Sequence, residues 1–243
     1  MKNKHLLNII KNYSSFKNHD IISLELLPFQ GYNNLIYLLK TSLGKYIVKK
    51  CGKSLYNSAC KKSEYTIQKI VSSISLCHEP IMFDEENSLL IYKFIEAKHK
   101  SSLNTTNIKN LALKLKKLHS IKFDGQKFHI KGYFKSHHID KGLKHALNQL
   151  RRYKRDFVLS HNDLNPKNIL FANSVKFIDW EYASLNDRYF DLAAICIEFK
   201  LSPKKQEIFI KLYFGSRKAD FKKLQIFKII YKYVCYTWQK DRR

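Results

Sequence analysis

The stretch LSHNDLNPKNIL, residues 159–170, holds the side chains whose types and spacing best suit chemistry. His161, Asp163 and Asn168 lie close together, and Pro166 disfavours a regular helix or strand between them. An apolar run follows directly, so we expect a loop that leads into a β-strand and presents polar groups at its mouth. A carboxylate placed there can accept a proton, and an amide oxygen can bind a hard cation.

A second carboxylate is expected beside this loop. The letters NILF, a turn at residues 172–174 and VKFID predict a hairpin whose second strand ends in Asp179. Asp179 should then lie near Asp163 and Asn168, and these oxygen donors together suit Mg²⁺. The spacing H-x-D-x-x-x-x-N also matches the catalytic loop of kinases, where the Asp accepts a hydroxyl proton and the Asn holds magnesium.

The first part of the chain predicts a mostly antiparallel sheet with one helix. Residues 21–50 alternate between strand-like runs and turns, and PIMFD and SLLIYKFIE predict two further strands. Residues 54–73 predict the helix, which carries Glu64. This region should close near Glu96.

The remainder of the chain is predicted to be mostly helical. Apolar residues recur at helical spacing at positions 108, 111, 112, 115 and 118, and helices are also predicted over 189–199 and much of 203–240. We therefore predict an α+β protein with two lobes in a kinase-like arrangement. Residues 1–96 would form a small sheet lobe that covers ATP, and residues 97–243 a larger helical lobe for catalysis and substrate binding.

Composition indicates a folded protein of 243 residues, with 44% apolar and 14% aromatic residues. The longest nearly continuous apolar run, 192–199, is broken by Glu198, so no membrane span is predicted. The first residues lack a sustained apolar core, and we expect no signal peptide. The five cysteines are widely spaced without a C-x-x-C pair, which indicates reduced thiols, a cytoplasmic location and no zinc site.

The charge is strongly positive, with 45 Lys and Arg against 20 Asp and Glu, a net +25. Such an excess of positive charge is typical of proteins that bind nucleic acid, anionic membranes or phosphate-rich substrates. The bases are scattered through the chain as pairs, and the densest cluster is at residues 151–155. We therefore expect a solvated basic surface, no dedicated nucleic-acid site, and at most weak association with anionic membranes.

Two motifs carry a resemblance to a known family. HNDLNPKNIL and FIDWEYASLNDRYFDLAAICIEF resemble the choline/ethanolamine kinases, relatives of the aminoglycoside phosphotransferases within the protein-kinase-like fold. The similarity is strongest over residues 159–199 and extends more thinly to GYNN, YIVKKCG, Glu64 and the Leu118-His119 pair. It implies transfer of a phosphoryl group from ATP, with Mg²⁺, to a small alcohol.

The resemblance also implies roles for individual residues. Asp163 would be the catalytic base, and Asn168 and Asp179 would bind Mg²⁺. Lys49 would hold the α/β-phosphates of ATP and would be positioned by Glu64; alternation along the strand also favours Lys49 over its neighbour Lys50. The remaining nucleotide contacts, in the phosphate-covering turn, would be Gly31, Asn33 and Asn34. His161 and Asp191 would support the catalytic loop.

The substrate is expected to be a small cation. Residues 179–198 hold five acidic residues and one arginine, a local charge of −4 in a chain of +25. Only eleven residues separate Asp179 from Asp191, too few for the activation segment of a protein kinase. The acids and aromatic faces suit a cationic alcohol. The predicted substrate contacts are Glu181, Tyr182, Glu198, Tyr233, Tyr236 and Trp238.

Choline, converted to phosphocholine, is the favoured substrate, because a quaternary ammonium needs aromatic packing. The same chemistry on ethanolamine, thiamine or an aminoglycoside is the main alternative. A different class of function is a basic nucleic-acid-binding or membrane-surface protein on a kinase-like scaffold. The complete set of Asp163, Asn168, Asp179 and Lys49 disfavours that reading, because pure binding would not need it.

Overall fold

A computed structural model describes residues 2–28, 34–52, 58–135, 137 and 139–241. The chain divides into two compact units, residues 1–96 and 97–243. The first is built around a sheet and the second is mostly helical, so the predicted α+β class is confirmed. No helix in these described ranges is long and apolar enough to cross a membrane.

The first unit contains one five-stranded antiparallel sheet in the order β1-β2-β3-β5-β4. Its strands are β1 Ile21–Leu26, β2 Asn34–Thr41, β3 Gly44–Cys51, β4 Pro80–Asp84 and β5 Leu89–Lys93. β3 lies in the centre, where its neighbours cover both edges, and five of its eight residues are buried: Tyr46, Ile47, Val48, Lys49 and Cys51. Gly44 opens β3 at φ +147°, a conformation that glycine adopts without strain.

Two α-helices and one short 3₁₀ helix, Ser14–Phe16, accompany this sheet among the described residues, where one helix was predicted. The predicted helix is α2, Ser58–Ser73, and the additional one is α1, Lys2–Lys11. α1 buries Leu6 and Ile10 against sheet residues of the same core. The prediction of one helix was wrong because α1 is rich in lysine and asparagine and shows only a short apolar stripe.

The second unit is mostly helical. Its helices are α3 Thr105–Leu118, α4 Ile130–Tyr133, α5 Lys141–Leu150, α6 Tyr189–Glu198, α7 Pro203–Phe214 and α8 Phe221–Lys240. Four of them begin with a side chain that accepts a hydrogen bond from a backbone N–H of the first turn, which satisfies groups that a helix cannot pair internally. These caps are Asn104, Asp140, Ser202 and Asp220.

Two short antiparallel pairs hold the polar loop of the second unit. β6, Phe157–Ser160, pairs with β9, Ser184–Asp187, and β7, Ile169–Phe171, pairs with β8, Val175–Phe177. The predicted hairpin is therefore present, but its second strand ends at Phe177 and does not reach Asp179. Asp179 has φ +66°, a left-handed conformation that cannot continue a strand.

A buried ion pair ties α8 to β9. Lys223 Nζ lies 2.7 Å from Asp187 Oδ2, and the two side chains are 5% and 0% exposed. Lys223 also donates to the Lys154 carbonyl at 3.0 Å, and Asp187 accepts from the backbone N–H groups of Asp156 and Tyr189. Each charge of the pair thus has further hydrogen-bond partners, which a buried charge requires.

Replacement of Lys223 by Met should test this pair, because the side chain keeps its length while Asp187 loses its cation. We expect the free energy of unfolding to fall by about 3–5 kcal/mol, the usual result of leaving one buried charge unpaired. Denaturant unfolding followed by tryptophan fluorescence would measure it. Lys222→Met, at the exposed neighbouring position, should change stability by less than about 0.5 kcal/mol. Equal losses in the two variants would contradict this view of the pair.

Candidate active site

One buried carboxylate, that of Asp191, holds the loop between β6 and β7 through hydrogen bonds to its backbone. Asp191, in the first turn of α6, is 0% exposed. Its Oδ2 accepts the backbone N–H of His161 at 2.8 Å, and its Oδ1 accepts that of Asn162 at 2.9 Å. The two residues before Asp163 are therefore fixed through their backbone.

Asn162 turns the chain at this point. It has φ +66°, in the left-handed region that asparagine tolerates better than most residues. Its Nδ2 donates to the Tyr182 carbonyl and to Ser184 Oγ at 2.9 and 2.8 Å, and its Oδ1 accepts from Asn186 Nδ2 at 2.8 Å. These bonds hold a strained residue in place, a pattern typical of active sites. The sequence analysis did not single out Asn162, although Asn is a common residue for this conformation.

His161 supports the loop from its buried side. Burial lowers the pKa of His161, so the ring is neutral at neutral pH. Its Nε2 lies 2.9 Å from the Ile178 carbonyl and must donate to it, which leaves Nδ1 to accept the backbone N–H of Asp163 at 3.3 Å. The ring also packs on Trp180 with 4.6 Å between centroids. His161 therefore has the supporting position that was predicted for it.

Asp163 is a half-buried carboxylate with both oxygens engaged. Asn165 Nδ2 donates to Oδ1 at 3.0 Å, and Asn168 Nδ2 donates to Oδ2 at 2.7 Å. Burial, and then the negative charges of Asp179 and Glu181, raise the pKa of Asp163 to about 7, while the two amide hydrogen bonds oppose that rise. A carboxylate with such a pKa is a stronger base than an ordinary aspartate.

Asn168 and Asp179 lie beside Asp163, as the hairpin argument predicts. Asn168 Nδ2 donates both of its protons to Asp163, one to the backbone carbonyl and one to the carboxylate. Its Oδ1 must therefore face away from Asp163. The backbone N–H of Ile178 donates to the Asn168 carbonyl at 3.0 Å, which brings Asp179, the next residue, to the same place.

A second carboxylate, that of Glu198 at the end of α6, lies beside side chains of α8. Glu198 Oε1 accepts a hydrogen bond from the Tyr231 hydroxyl at 3.0 Å. Burial, and then the charges of Glu198 and Asp163, raise the pKa of the Cys235 thiol to about 11. Glu198, Cys235 and Asp163 therefore share one electrostatic neighbourhood. Tyr231 and Cys235 were not predicted as site residues.

Trp238, near the end of α8, contacts Tyr182. Trp238 Nε1 donates to the Tyr182 hydroxyl at 3.3 Å, which connects the end of α8 with the segment after Asp179. Trp238, Cys235 and Tyr231 are spaced three and four residues apart and form one stripe of α8. That periodicity, counted back from Trp238, is the signal that could have identified Tyr231.

Tyr233 and Tyr236 lie off this stripe. The Tyr233 hydroxyl donates to Asp140, the residue that caps α5, and Tyr236 is 64% exposed. The structure therefore does not bring these two predicted substrate contacts together with Glu198. Tyr233 contacts α5 and Tyr236 is exposed to solvent. They differ from Tyr231 because they do not lie on the face of α8 that contacts Glu198.

In the first unit, Lys49 is buried and paired. Its Nζ lies 2.8 Å from Glu64 Oε1, with side chains 3% and 5% exposed. The neighbouring Lys50 is only partly buried, so Lys49 is the lysine of the pair that α2 can orient. Asn34 is the first residue of β2, opposite Cys51. Gly31 and Asn33 lie outside the described residues.

Comparison with known proteins agrees with the resemblance drawn from the motifs. The sequence profile of the choline/ethanolamine kinase family matches residues 52–234. A LicA homologue of Mycoplasma capricolum is 24% identical over 197 residues, which cover 75% of this chain and 78% of that protein.

Two crystal structures are also similar. The choline kinase LicA of Streptococcus pneumoniae has a TM-score of 0.80 and 25% identity, over 97% of this chain and 90% of that one. A LicA complex with AMP has a TM-score of 0.73 and 25% identity, over 98% and 88% of the two chains. The kinase-like fold and the family predicted from the motifs are both confirmed. The chain belongs to the choline/ethanolamine kinase family and is a phosphotransferase that acts on an alcohol.

Proposed function

We propose that this chain transfers the γ-phosphoryl group of ATP to the hydroxyl of choline and forms phosphocholine. The observation that carries the proposal is the shared neighbourhood of Asp163 and Glu198. One carboxylate lies in a fixed loop where it can receive a proton, and the other lies where it can attract a cation. The similarity to the choline kinase of Streptococcus pneumoniae supports the same substrate.

Asp163 is the base in this proposal. Its carboxylate orients the choline hydroxyl and takes its proton as the hydroxyl oxygen forms a bond to the γ-phosphorus. The bond from that phosphorus to the bridging oxygen breaks, and ADP leaves with the electron pair. A pKa near 7 suits this task, because such a carboxylate is ionised in part of the population and accepts a proton more readily than a normal aspartate.

Lys49 would bind the α/β-phosphates from the first unit, and its ion pair with Glu64 fixes the ammonium group at the end of β3. We assign the ATP-covering role to residues 1–96 on this basis. The binding of AMP to a LicA protein supports a nucleotide site in relatives of this chain.

Asn168 and Asp179 would hold Mg²⁺, which would neutralise charge on the phosphates when bound. The orientation of Asn168 fits this role, because its Nδ2 is held by Asp163 and its Oδ1 is turned outwards as a ligand oxygen. Among the described residues no group of three or more His, Cys, Asp or Glu forms a metal cluster. Mg²⁺ does not need one, since it is commonly held by one or two protein oxygens with phosphate oxygens and water.

Choline would be recognised by charge and by aromatic faces. Glu198 supplies a partly buried negative charge in contact with Tyr231, and Trp238 and Tyr182, which contact each other, supply further aromatic surface. A quaternary ammonium cannot donate a hydrogen bond, so it depends on these two interactions.

Ethanolamine is the second candidate. Within the described part of the chain, the hydrogen bond from Tyr231 engages only one of the two Glu198 oxygens. The other oxygen could accept a hydrogen bond from a primary ammonium, which choline lacks.

The metal assignment predicts the effect of Asp179→Asn. Asparagine removes the charge but tolerates the left-handed backbone at this position, which alanine would strain. We expect the gain in ATP affinity that Mg²⁺ provides to fall at least tenfold, roughly the scale of lost metal-site interactions. Isothermal titration of ATP with and without Mg²⁺ would measure it.

Asp163→Asn is the matched control for this titration, because Asp163 should not hold nucleotide and its variant should keep the Mg²⁺ effect. Asn168→Ala should weaken activity in a way that added Mg²⁺ partly restores. A full Mg²⁺ effect in Asp179→Asn would remove Asp179 from the metal site.

The substrate assignment predicts the result of a coupled ADP-release assay with choline, ethanolamine, thiamine, kanamycin and a generic peptide. We expect the highest kcat/KM with choline. Asp163→Asn should lower kcat by about 10²-fold or more, the usual scale for a general base. Asp124→Asn, in an exposed loop, is the control and should retain activity. A higher kcat/KM with ethanolamine would replace choline by the second candidate.

Glu198→Gln should separate cation binding from chemistry, because it keeps the size of the side chain and removes its charge. We expect the KM for choline to rise about five- to 150-fold, the range for one partly desolvated charge contact, with little change in the KM for ATP. Steady-state kinetics with both substrates varied would show it. Glu207→Gln removes an exposed glutamate paired with Lys211 and should leave both constants unchanged. An unchanged choline KM in Glu198→Gln would move the cation contact elsewhere.

A further inference from the structure

A chain of hydrogen bonds runs from the partly exposed Asp156 to the buried Asp191 in the second unit. Arg188 Nη2 donates to Asp156 Oδ1 at 2.8 Å, and Arg188 Nη1 donates to the Tyr213 hydroxyl at 2.8 Å. The Tyr213 hydroxyl lies 2.7 Å from His119 Nδ1, and His119 Nε2 lies 3.0 Å from Asp191 Oδ2. The chain therefore ends on the carboxylate that fixes the catalytic loop.

The chemistry of the end groups sets the direction of every proton in this chain. A guanidinium group can only donate, so the Tyr213 oxygen accepts from Arg188 and has its own proton free for His119. An ionised carboxylate can only accept, so His119 Nε2 must carry a proton towards Asp191. Burial lowers the pKa of His119, so the ring carries one proton and not two. Only the Nε2–H tautomer satisfies all these bonds together.

The opposite tautomer would remove the hydrogen bond between His119 and Asp191. With the proton on Nδ1, the lone pair of Nε2 would face Asp191 Oδ2 at 3.0 Å, and Asp191 would lose one of its three donors. The ring is held at both nitrogens, because His119 is buried at the end of α3, packs edge-on against Tyr213 and has a hydrogen-bond partner on each side. Asp191 therefore sets the tautomer, and the Tyr213 hydroxyl fixes the ring at Nδ1.

We propose that Tyr213 and Arg188 are positioning residues for phosphoryl transfer, which hold His119 through Nδ1 so that its Nε2–H donates to Asp191 and the catalytic loop keeps its active geometry. Neither residue needs to touch substrate. Arg188 is itself anchored by Asp156, whose carboxylate is partly exposed. The consequence for turnover rests on the proposed role of Asp163, whereas the tautomer itself does not.

Tyr213→Phe tests the proposal, because it removes the hydroxyl and keeps the ring contacts. Long-range ¹H–¹⁵N NMR of the histidine rings in the whole chain would report the tautomer of His119, with its signals assigned by their loss in His119→Asn. We expect the Nε2–H tautomer in both proteins, and a downfield shift of the Nδ1 resonance in Tyr213→Phe, because that nitrogen loses its hydrogen-bond donor. We also expect kcat to fall about tenfold, as for other outer partners of catalytic groups, with both KM values nearly unchanged.

Tyr189→Phe is the matched control. It removes another largely buried hydroxyl in the same unit, one that accepts the backbone N–H of Asp220 at 2.8 Å. It should leave the His119 Nδ1 resonance and kcat unchanged. If Tyr213→Phe does not fold, Asp156→Asn weakens the anchor of Arg188 from a half-exposed position and should shift the same NMR signals in the same direction.

Three results would overturn the proposal: an Nδ1–H tautomer in the wild type, an unchanged Nδ1 resonance in the folded Tyr213 variant, or a changed Nδ1 resonance with unchanged kcat. Full turnover in Asp163→Asn would instead reject the proposed base. The NMR result for His119 does not depend on the role of Asp163.

Discussion

The Asp191 carboxylate is the group on which the rest of the site depends. A carboxylate without exposure to water must be fully hydrogen-bonded, because an unpaired buried charge would cost several kcal/mol. Asp191 meets this need with two backbone N–H groups of the catalytic loop and one imidazole N–H. The same bonds that make its burial tolerable also determine where Asp163 lies, so stability and catalytic geometry share one set of contacts.

Asp163 benefits from this arrangement in two ways. The loop cannot relax towards solvent, so the carboxylate stays half-buried near other acids and its pKa stays high. The neighbouring amides of Asn165 and Asn168 orient its two oxygens without neutralising them. In its proposed role as the base, Asp163 needs no movement of its own side chain before it accepts a proton, which lowers the reorganisation that a reaction requires.

Much of this could be predicted from sequence. The strands of the first unit, α2, the long helices and the hairpin around residues 172–174 follow from apolar periodicity and turn residues, and α3 buries the residues that its spacing predicted. Asp163, Asn168 and Asp179 were brought together correctly because a hairpin leaves little freedom. α1 was missed because its apolar stripe is short, and the end of β8 was misplaced because a left-handed Asp179 has no signature in the sequence.

The acceptor side was harder to predict. Tyr233 and Tyr236 are as aromatic as Tyr231, and composition cannot tell which face of α8 meets Glu198. That choice depends on how α8 packs against α5 and α6, which is a matter of tertiary structure. The chain from Asp156 to His119 joins residues that lie far apart in sequence, through hydroxyl and guanidinium groups whose partners only the fold reveals.

The stripe of Tyr231, Cys235 and Trp238 on α8 also has an evolutionary consequence. These side chains come from one helix, whereas the groups assigned to proton and metal handling come from the loop and hairpin at residues 161–179. Substitutions along that stripe could alter which alcohol fits while leaving the phosphoryl-transfer groups untouched. A lineage could therefore drift from one amino alcohol to another through a few changes in a single helix, without passing through an inactive enzyme.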